Sequence, residues 1–349
     1  ISKIMAYLGV REVEVKEAEA GDVVLLAGLP DIYVGDTITD SEDAEPLPLI
    51  KIDPPTVAMD FIVNDSPFAG KEGKLVTTRH IRERLEKELE TNVGLQIEFG
   101  DRTDAFRVSG RGEMHLGVLI ESMRREGFEL AVSRPEVIMH EENGMKMEPM
   151  EVAYIEVPDA SVGGVIEKLG RRKGIMQNME AKNGVTRLTY EIPTRGLLGF
   201  RNEFIIDTRG DGILTHSFSR FVPYVGELPG RTTGSIISGV TGTSVAYAIW
   251  QLQERGTFFI KDGISVYEGM IVGESPNGQD IIVNVSKEKK LSNVRASGSD
   301  EAIRLVPPVI MTLDMALEYI QDDELVEVTP SSIRLRKKLL KEVDRKRAK

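Results

Sequence analysis

FRVSGRGEMHLGVLIESMRREGFELAVSRPE, residues Phe106 to Glu136, writes a strand, a glycine turn, a helix and a second strand. Phe106 and Val108 alternate as on a half-buried strand, and Gly110 and Gly112 interrupt it. Leu116, Leu119, Ile120 and Met123 then fall at i, i+3, i+4 and i+7, which puts all four on one helix face. Gly127 stands where a helix end favours a left-handed residue, and Phe128, Leu130 and Val132 resume the period of two. The stretch is one β-α-β unit.

Its other half lies upstream. Val57, Met59, Phe61 and Val63 alternate, Thr78 is positioned to cap a helix carrying Ile81, Leu85 and Leu89 inward, and Val93, Leu95, Ile97 and Phe99 alternate again. Together the halves read βαββαβ, a ferredoxin-like arrangement. The pattern recurs downstream. Ala153, Ile155 and Val157 form a strand, Asp159 can cap a helix, and Val162, Val165, Ile166 and Leu169 repeat the helical spacing before Gly170. Thr186, Leu188, Tyr190 and Ile192 alternate, Pro193 opens a helix with Leu197, Phe200 and Phe204 on one face, and Ile213 to Phe221 reads as the closing strand. The expected fold class is therefore α+β, with two tandem ferredoxin-like domains near residues 54–140 and 147–225.

Residues 1–50 contain strand candidates only at Ile4 to Tyr7, Val13 to Val15 and Val23 to Leu26, too few to close a barrel. They read as the last part of a β-barrel whose earlier strands precede Ile1, and Pro46, Pro48, Pro54 and Pro55 follow as a stiff linker. Residues 228–349 read as a mainly β domain. It holds an apolar segment from Val245 to Leu252, short strands around Phe258, Val266, Ile271 and Ile281, and a helix from Thr312 to Ile320. Between Ser286 and Asp300 runs a polar loop without apolar period, and loops that long tend to be functional or disordered.

The absence of cysteine excludes disulfides and thiolate metal sites and suits a reducing cytoplasm; no apolar run approaches the length of a membrane span. No phosphate-cradling loop is present, because Glu72 and Leu75 stand where Gly70-Lys71 and Gly73-Lys74 would need Ser or Thr. His80, His115, His140 and His216 are scattered without ligand spacing, so no catalytic, cofactor or metal residue is expected. The net charge of −12 disguises local asymmetry: nine basic residues against two acidic ones from Ser331 to Lys349, after a purely acidic stretch from Asp314 to Glu327. The candidate RNA-binding residues are Lys287, Lys289, Lys290 and Arg295 in the polar loop, Arg171, Arg172 and Lys173 after a helix, and Arg334, Arg336, Lys337 and Lys338 near the C-terminus.

SGRGEMHLGVLIESMRREGFE, PTRGLLGFRNEFIIDTRGDGI and NVSKEKKLSNVRASGSDEAIRLVPP resemble the C-terminal part of the BipA/TypA family of ribosome-binding translational GTPases, and the likeness extends over essentially the whole chain. The two α+β repeats are similar to domains III and V of elongation factor G, and AGDVVLLAGLPDIYVGDTI resembles the end of the family's barrel domain II. Val137 and Met147 stand too close for the large domain that elongation factor G inserts between those modules. The resemblance implies a GTPase domain upstream of Ile1, holding GTP with Mg, that is the partner of this part and carries all the catalysis. It further implies docking between the two ribosomal subunits on rRNA and in reach of tRNA, with roles in ribosome assembly and stress-adaptive translation in the cytoplasm. A small-molecule regulatory or oligomerisation module built on tandem ferredoxin-like domains is the alternative, since fold alone does not assign function.

Overall fold

The computed structural model describes residues 1–29, 32, 34–41, 43, 45–48, 52–99, 104–288 and 304–348. They form two compact units, Ile1–Ile52 with Lys87–Val93, and Asp53–Glu86 with Gly94–Lys349. In the first unit β1 (Lys3–Leu8), β2 (Arg11–Glu14) and β3 (Val24–Ala27) form an antiparallel sheet in the order β2-β1-β3. The three strands fall where the alternation places them, and Tyr7, Leu8 and Val13 on them remain exposed.

The second unit begins with β4 (Val57–Val63), α1 (Thr78–Leu89), β5 (Gln96–Glu98), β6 (Ala105–Gly110), α2 (Glu113–Arg125) and β7 (Leu130–Val132). The strands pair antiparallel as β7-β4-β6-β5, so the first strand lies between the last and the third. Ile81 and Leu85 of α1, and Leu116, Leu119, Ile120 and Met123 of α2, are buried, as are Val57, Met59, Phe61, Phe106 and Val108 on the strands. The helical spacing read from the sequence is the packing face. Helix α1 is capped one residue earlier than its sequence suggests: the Thr77 hydroxyl accepts from His80 N at 3.3 Å, and Thr78 is already helical. At the other end of the unit α2 closes through Phe128 N donating to Met123 O at 3.1 Å, with Gly127 left-handed at φ 96°.

After the short β8 (Glu136–Val137) and β9 (His140–Glu142) the pattern repeats with β10 (Met145–Pro158), α3 (Val162–Arg171), β11 (Ile175–Lys182), β12 (Val185–Pro193), α4 (Thr194–Leu197), α5 (Phe200–Asp207) and β13 (Ile213–Pro223). The antiparallel order is β11-β12-β10-β13, the same relative order as in the first repeat. Its core joins Ala153, Ile155 and Val157 to Val162, Val165, Leu169, Leu188, Tyr190, Ile192, Phe200 and Phe204. Two local expectations need correction. Asp159 does not cap α3; it begins a 3-10 turn, and its carboxylate accepts from the Thr186 hydroxyl at 2.7 Å. The helix expected after Pro193 is two helices, because Gly199 adopts φ 68° between α4 and α5. That left-handed step keeps Leu197, Phe200 and Phe204 all on the core while redirecting the axis.

The remaining chain supplies β14 (Gly234–Ser238), β15 (Gly242–Thr243), α6 (Ala246–Leu252), β16 (Thr257–Phe258), β17 (Ser265–Val266), β18 (Met270–Ser275), β19 (Ile281–Val283), α7 (Leu313–Tyr319), β20 (Glu324–Val328), β21 (Ile333–Lys337) and α8 (Glu342–Arg347). Thr312 caps α7 by accepting from Met315 N at 3.3 Å. Strand β20 pairs with β7, and the sheet continues as β20-β21-β18-β14-β19. The first repeat and the C-terminal region thus share one sheet. The stretch read as a basic tail accordingly starts as an interior strand, with Leu335 buried between β18 and β20.

Candidate RNA-binding surface

The opposed acidic and basic runs of the sequence face each other. In the β20–β21 hairpin Glu324 stands opposite Lys337 and Glu327 opposite Arg334. Glu324 and Glu327 are wholly buried, as are Arg336 and Lys337. Burial alone would neutralise such groups, so each needs a partner. Lys337 Nζ lies 2.9 Å from Glu324, 2.7 Å from Asp280 and 2.9 Å from Asp323. Although burial disfavours its charge, those carboxylates hold its pKa above that of an ordinary lysine. Glu327 accepts from Arg334 at 3.1 Å, from the Ser66 hydroxyl at 2.9 Å, from Asn64 at 3.1 Å and from the Tyr267 hydroxyl at 2.6 Å. Arg334 also meets Glu72, and Arg336 meets Asp65.

Arg334, Arg336 and Lys337 are therefore not available to phosphates as the charge count suggested. Arg334 and Arg336 neutralise carboxylates at the seam where β20 joins the first repeat, and Lys337 neutralises those of Asp280, Asp323 and Glu324 within the C-terminal region. The signal was present as ELVEV and IRLRK separated by TPSS, two strand-length runs of opposite charge across a turn. Lys338, one residue beyond, is exposed.

Arg172 also turns inward. Its guanidinium donates to Gly196 O at 3.1 Å and Leu198 O at 2.9 Å, pairs with Glu203 at 3.2 Å and lies 5.3 Å from the Phe200 ring centre. It closes the carbonyl end of α4 at the Gly199 break. Arg171 stays exposed, in a helical pair with Glu167 at 2.6 Å. Lys173 is exposed and left-handed at φ 64°, because the chain reverses there through Gly174 N to Leu169 O. Lys287 is exposed, without an ion pair among the described residues. Lys289, Lys290 and Arg295 lie outside the described residues. The exposed cations from the sequence candidates are thus Arg171, Lys173, Lys287 and Lys338, on three separate stretches of chain.

Glu113, which no sequence pattern singles out, meets Asp314 and Glu318 of the acidic run. Glu113, in the first turn of α2, accepts from Gly199 N at 3.2 Å, and Glu318 of α7 accepts from Asn202 at 2.7 Å. Burial first, then the neighbouring charges of Glu318 and Asp314, push the Glu113 carboxyl up to about 7, against the opposing bond from Gly199 and the charge of Arg172. Burial likewise raises Glu318. Three helices from three stretches of sequence meet here, which no local pattern could announce.

Among the described residues no group of three or more His, Cys, Asp or Glu side chains could hold a metal ion. His140 packs edge-on against Phe221 at 4.4 Å between ring centres, and His216 contacts Glu151. Among the described residues no helix is long and apolar enough to cross a membrane.

Residues 233–342 match the family model described as TypA/BipA C-terminal domain, and residues 145–232 match the one described as elongation factor G C-terminus. A protein of Escherichia coli strain K12, named large ribosomal subunit assembly factor BipA, is 52% identical over 350 aligned residues, covering 100% of this chain and 58% of that protein. Proteins of the same name from Synechocystis and Bacillus subtilis are 51% and 47% identical, covering 97% and 100% of this chain and 57% of each of those proteins. The chain spans rather more than half the length of these relatives.

Proposed function

The chain is BipA/TypA-like over its whole length, and from that premise we propose that it is the ribosome-docking portion of a translational GTPase serving assembly of the large ribosomal subunit. The observation that carries this reading is identity of 47–52% with proteins named large ribosomal subunit assembly factor, sustained over 97–100% of the chain. The two sheets whose first strand lies between last and third are ferredoxin-like domains in this reading, spanning 54–140 and 147–225. Residues 1–50 are the end of a barrel domain, and 228–349 the family's own C-terminal domain.

The docking surface uses the exposed cations Lys287, Lys338, Arg171 and Lys173, with Lys289, Lys290 and Arg295 continuing the first of these along the chain. Their partners are rRNA and tRNA phosphates between the subunits, in the cytoplasm. Local cations suffice against a polyanion because each contact releases condensed counterions, whatever the protein's net charge. GTP and Mg belong to a preceding domain, and this portion contributes recognition rather than turnover.

Co-sedimentation of the full-length protein with 50S subunits, GTP present, over a salt series tests the reading. K287E/K289E/K290E should weaken association and flatten its salt dependence by about one unit of slope per lost phosphate contact. R171E/K173E is the comparison for charge reversal elsewhere. Wild-type protein that fails to sediment with the subunits at any salt concentration refutes the proposal; unchanged binding by the triple variant removes the Lys287 segment from it.

A further inference from the structure

Within the larger unit the second repeat is a body of its own. Its sheet, β11-β12-β10-β13 with β9, shares no strand with the sheet that joins the first repeat to the C-terminal region. The chain leaves it through residues 224–233, a stretch with Pro229 and with Gly226 left-handed at φ 94°. Where α4 gives way to α5, the repeat meets helices of the other body. Gly199 N donates to Glu113 of α2 at 3.2 Å, and Asn202 donates to Glu318 of α7 at 2.7 Å. Both bonds end on carboxyl groups. The fit is close, because a Cβ at Gly199 would stand 2.6 Å from Glu318 Cγ.

The charges at this contact do not balance. Helices α2 and α7 bring Glu113, Asp314 and Glu318, and α5 adds Glu203. Against them stands Arg172, at the end of α3, whose guanidinium is already committed to Gly196 O, Leu198 O and Glu203. Lys168 of α3 is held by Asp207 at 2.8 Å and Glu203 at 3.6 Å, and Arg195 of α4 by Glu148. A cleft of about 310 Å³, lined by Glu318 together with Arg134 and Arg231, gives water a way to Glu318, but those arginines are held by Asp322 and Glu324. Closing the contact takes water from Glu113 and Glu318. A proton on either one removes the repulsion between them, and a protonated carboxyl still accepts through its carbonyl oxygen, so both bonds survive.

Burial is the largest effect on both groups and raises both, Glu113 to about 7 against the Gly199 bond and the charge of Arg172. An open arrangement returns water to the carboxyls and so binds the proton more weakly than the closed one. Closure is therefore favoured at low pH and weakens as pH climbs through about 7.

We propose that the contact of the α4–α5 break with α2 and α7 is a proton-operated clasp: a proton on Glu113 or Glu318 keeps the second repeat closed on the other body, and its loss lets the repeat swing out. The clasp does not depend on the docking reading. Where that reading holds, opening changes the spacing between Arg171 and Lys173, which the second repeat carries, and Lys338, which it does not.

Energy transfer between dyes placed at two exposed positions of the full-length protein, Glu83 of α1 and Lys182 of β11, follows the second repeat relative to the first. The distance distribution should shift reversibly between pH 5.5 and 8.5 with a midpoint near 7, and E113Q/E318Q should keep the pH 5.5 distribution at both. In the unsubstituted protein, exchange of the Gly199 amide, corrected for the intrinsic effect of pH, should rise about tenfold or more over the same range while amides inside α3 keep their protection. A distribution that does not move with pH overturns the proposal, as does a shift that persists in E113Q/E318Q. An equal rise in exchange at Gly199 and inside α3 also overturns it, because the repeat itself would then be loosening rather than swinging out.

Discussion

Substituting Glu113 with Gln should make the protein more stable, and by about 2 kcal/mol more at pH 8.5 than at pH 5.5. A glutamic acid in an unfolded chain titrates near 4.5, whereas burial and the charges of Glu318 and Asp314 bring Glu113 to about 7. The folded state therefore holds this proton more tightly, by about 3 kcal/mol in all. Because the folded pKa is raised, stability from this group is fully present below pH 4.5 and lost as pH climbs through 7. About 2 kcal/mol of that loss falls between pH 5.5 and 8.5. Gln carries no charge and keeps a side-chain oxygen for Gly199 N, the bond Glu113 accepts at 3.2 Å. Urea unfolding of E113Q and wild type at pH 5.5 and 8.5, followed by hydrogen exchange of amides around Gly199, reads the difference. The variant should gain about 2 kcal/mol on wild type from the lower to the higher pH. A stability difference independent of pH, or a Glu113 carboxyl carbon that titrates near 4.5 by NMR, would refute the argument, because burial would then be too shallow to matter.

Two further substitutions probe the scaffold. Glu327→Ala leaves the buried Tyr267 hydroxyl without its acceptor and Arg334 with Glu72 alone, and should destabilise by about 1–3 kcal/mol in chemical denaturation; a change well below about 1 kcal/mol would mean the seam is solvated. Gly269→Ala must accept φ 91° and place its Cβ 2.6 Å from the backbone of Leu340, so the melting temperature should fall by several degrees, equivalent to about 1–3 kcal/mol. An unshifted melting temperature there would show that the link from β21 to α8 moves aside freely.

Many elements whose residues contact mainly their own neighbours were legible in the sequence, but β11, the hairpin partner of β12, was not, because all eight of its residues are exposed. The i, i+3, i+4, i+7 series at Leu116–Met123 and Val162–Leu169 gave helices α2 and α3, and the alternations at Val57–Val63 and Thr186–Ile192 gave β4 and β12, because backbone geometry alone sends those side chains to one face. Signals at element ends were displaced by a residue or two, as at Thr77, where several neighbouring hydroxyls compete for the same orphan amides.

Tertiary structure alone decided which charges face water. Arg334, Arg336 and Lys337 carry the same formal charge as Lys338, but an interior strand presents them to Glu327, Asp65 and Glu324 while Lys338 emerges beyond its end. That strand is interior because Leu335 stands opposite Val326 of β20 on one side and Ile271 of β18 on the other, the latter a contact between positions far apart in the chain. The meeting of Glu113, Asp314 and Glu318 at Gly199 has the same origin. Periodicity specifies which face of an element is apolar, but many faces satisfy that condition equally well. The choice among them is made by packing and by pairing of buried charge, which operate only once distant segments are brought together.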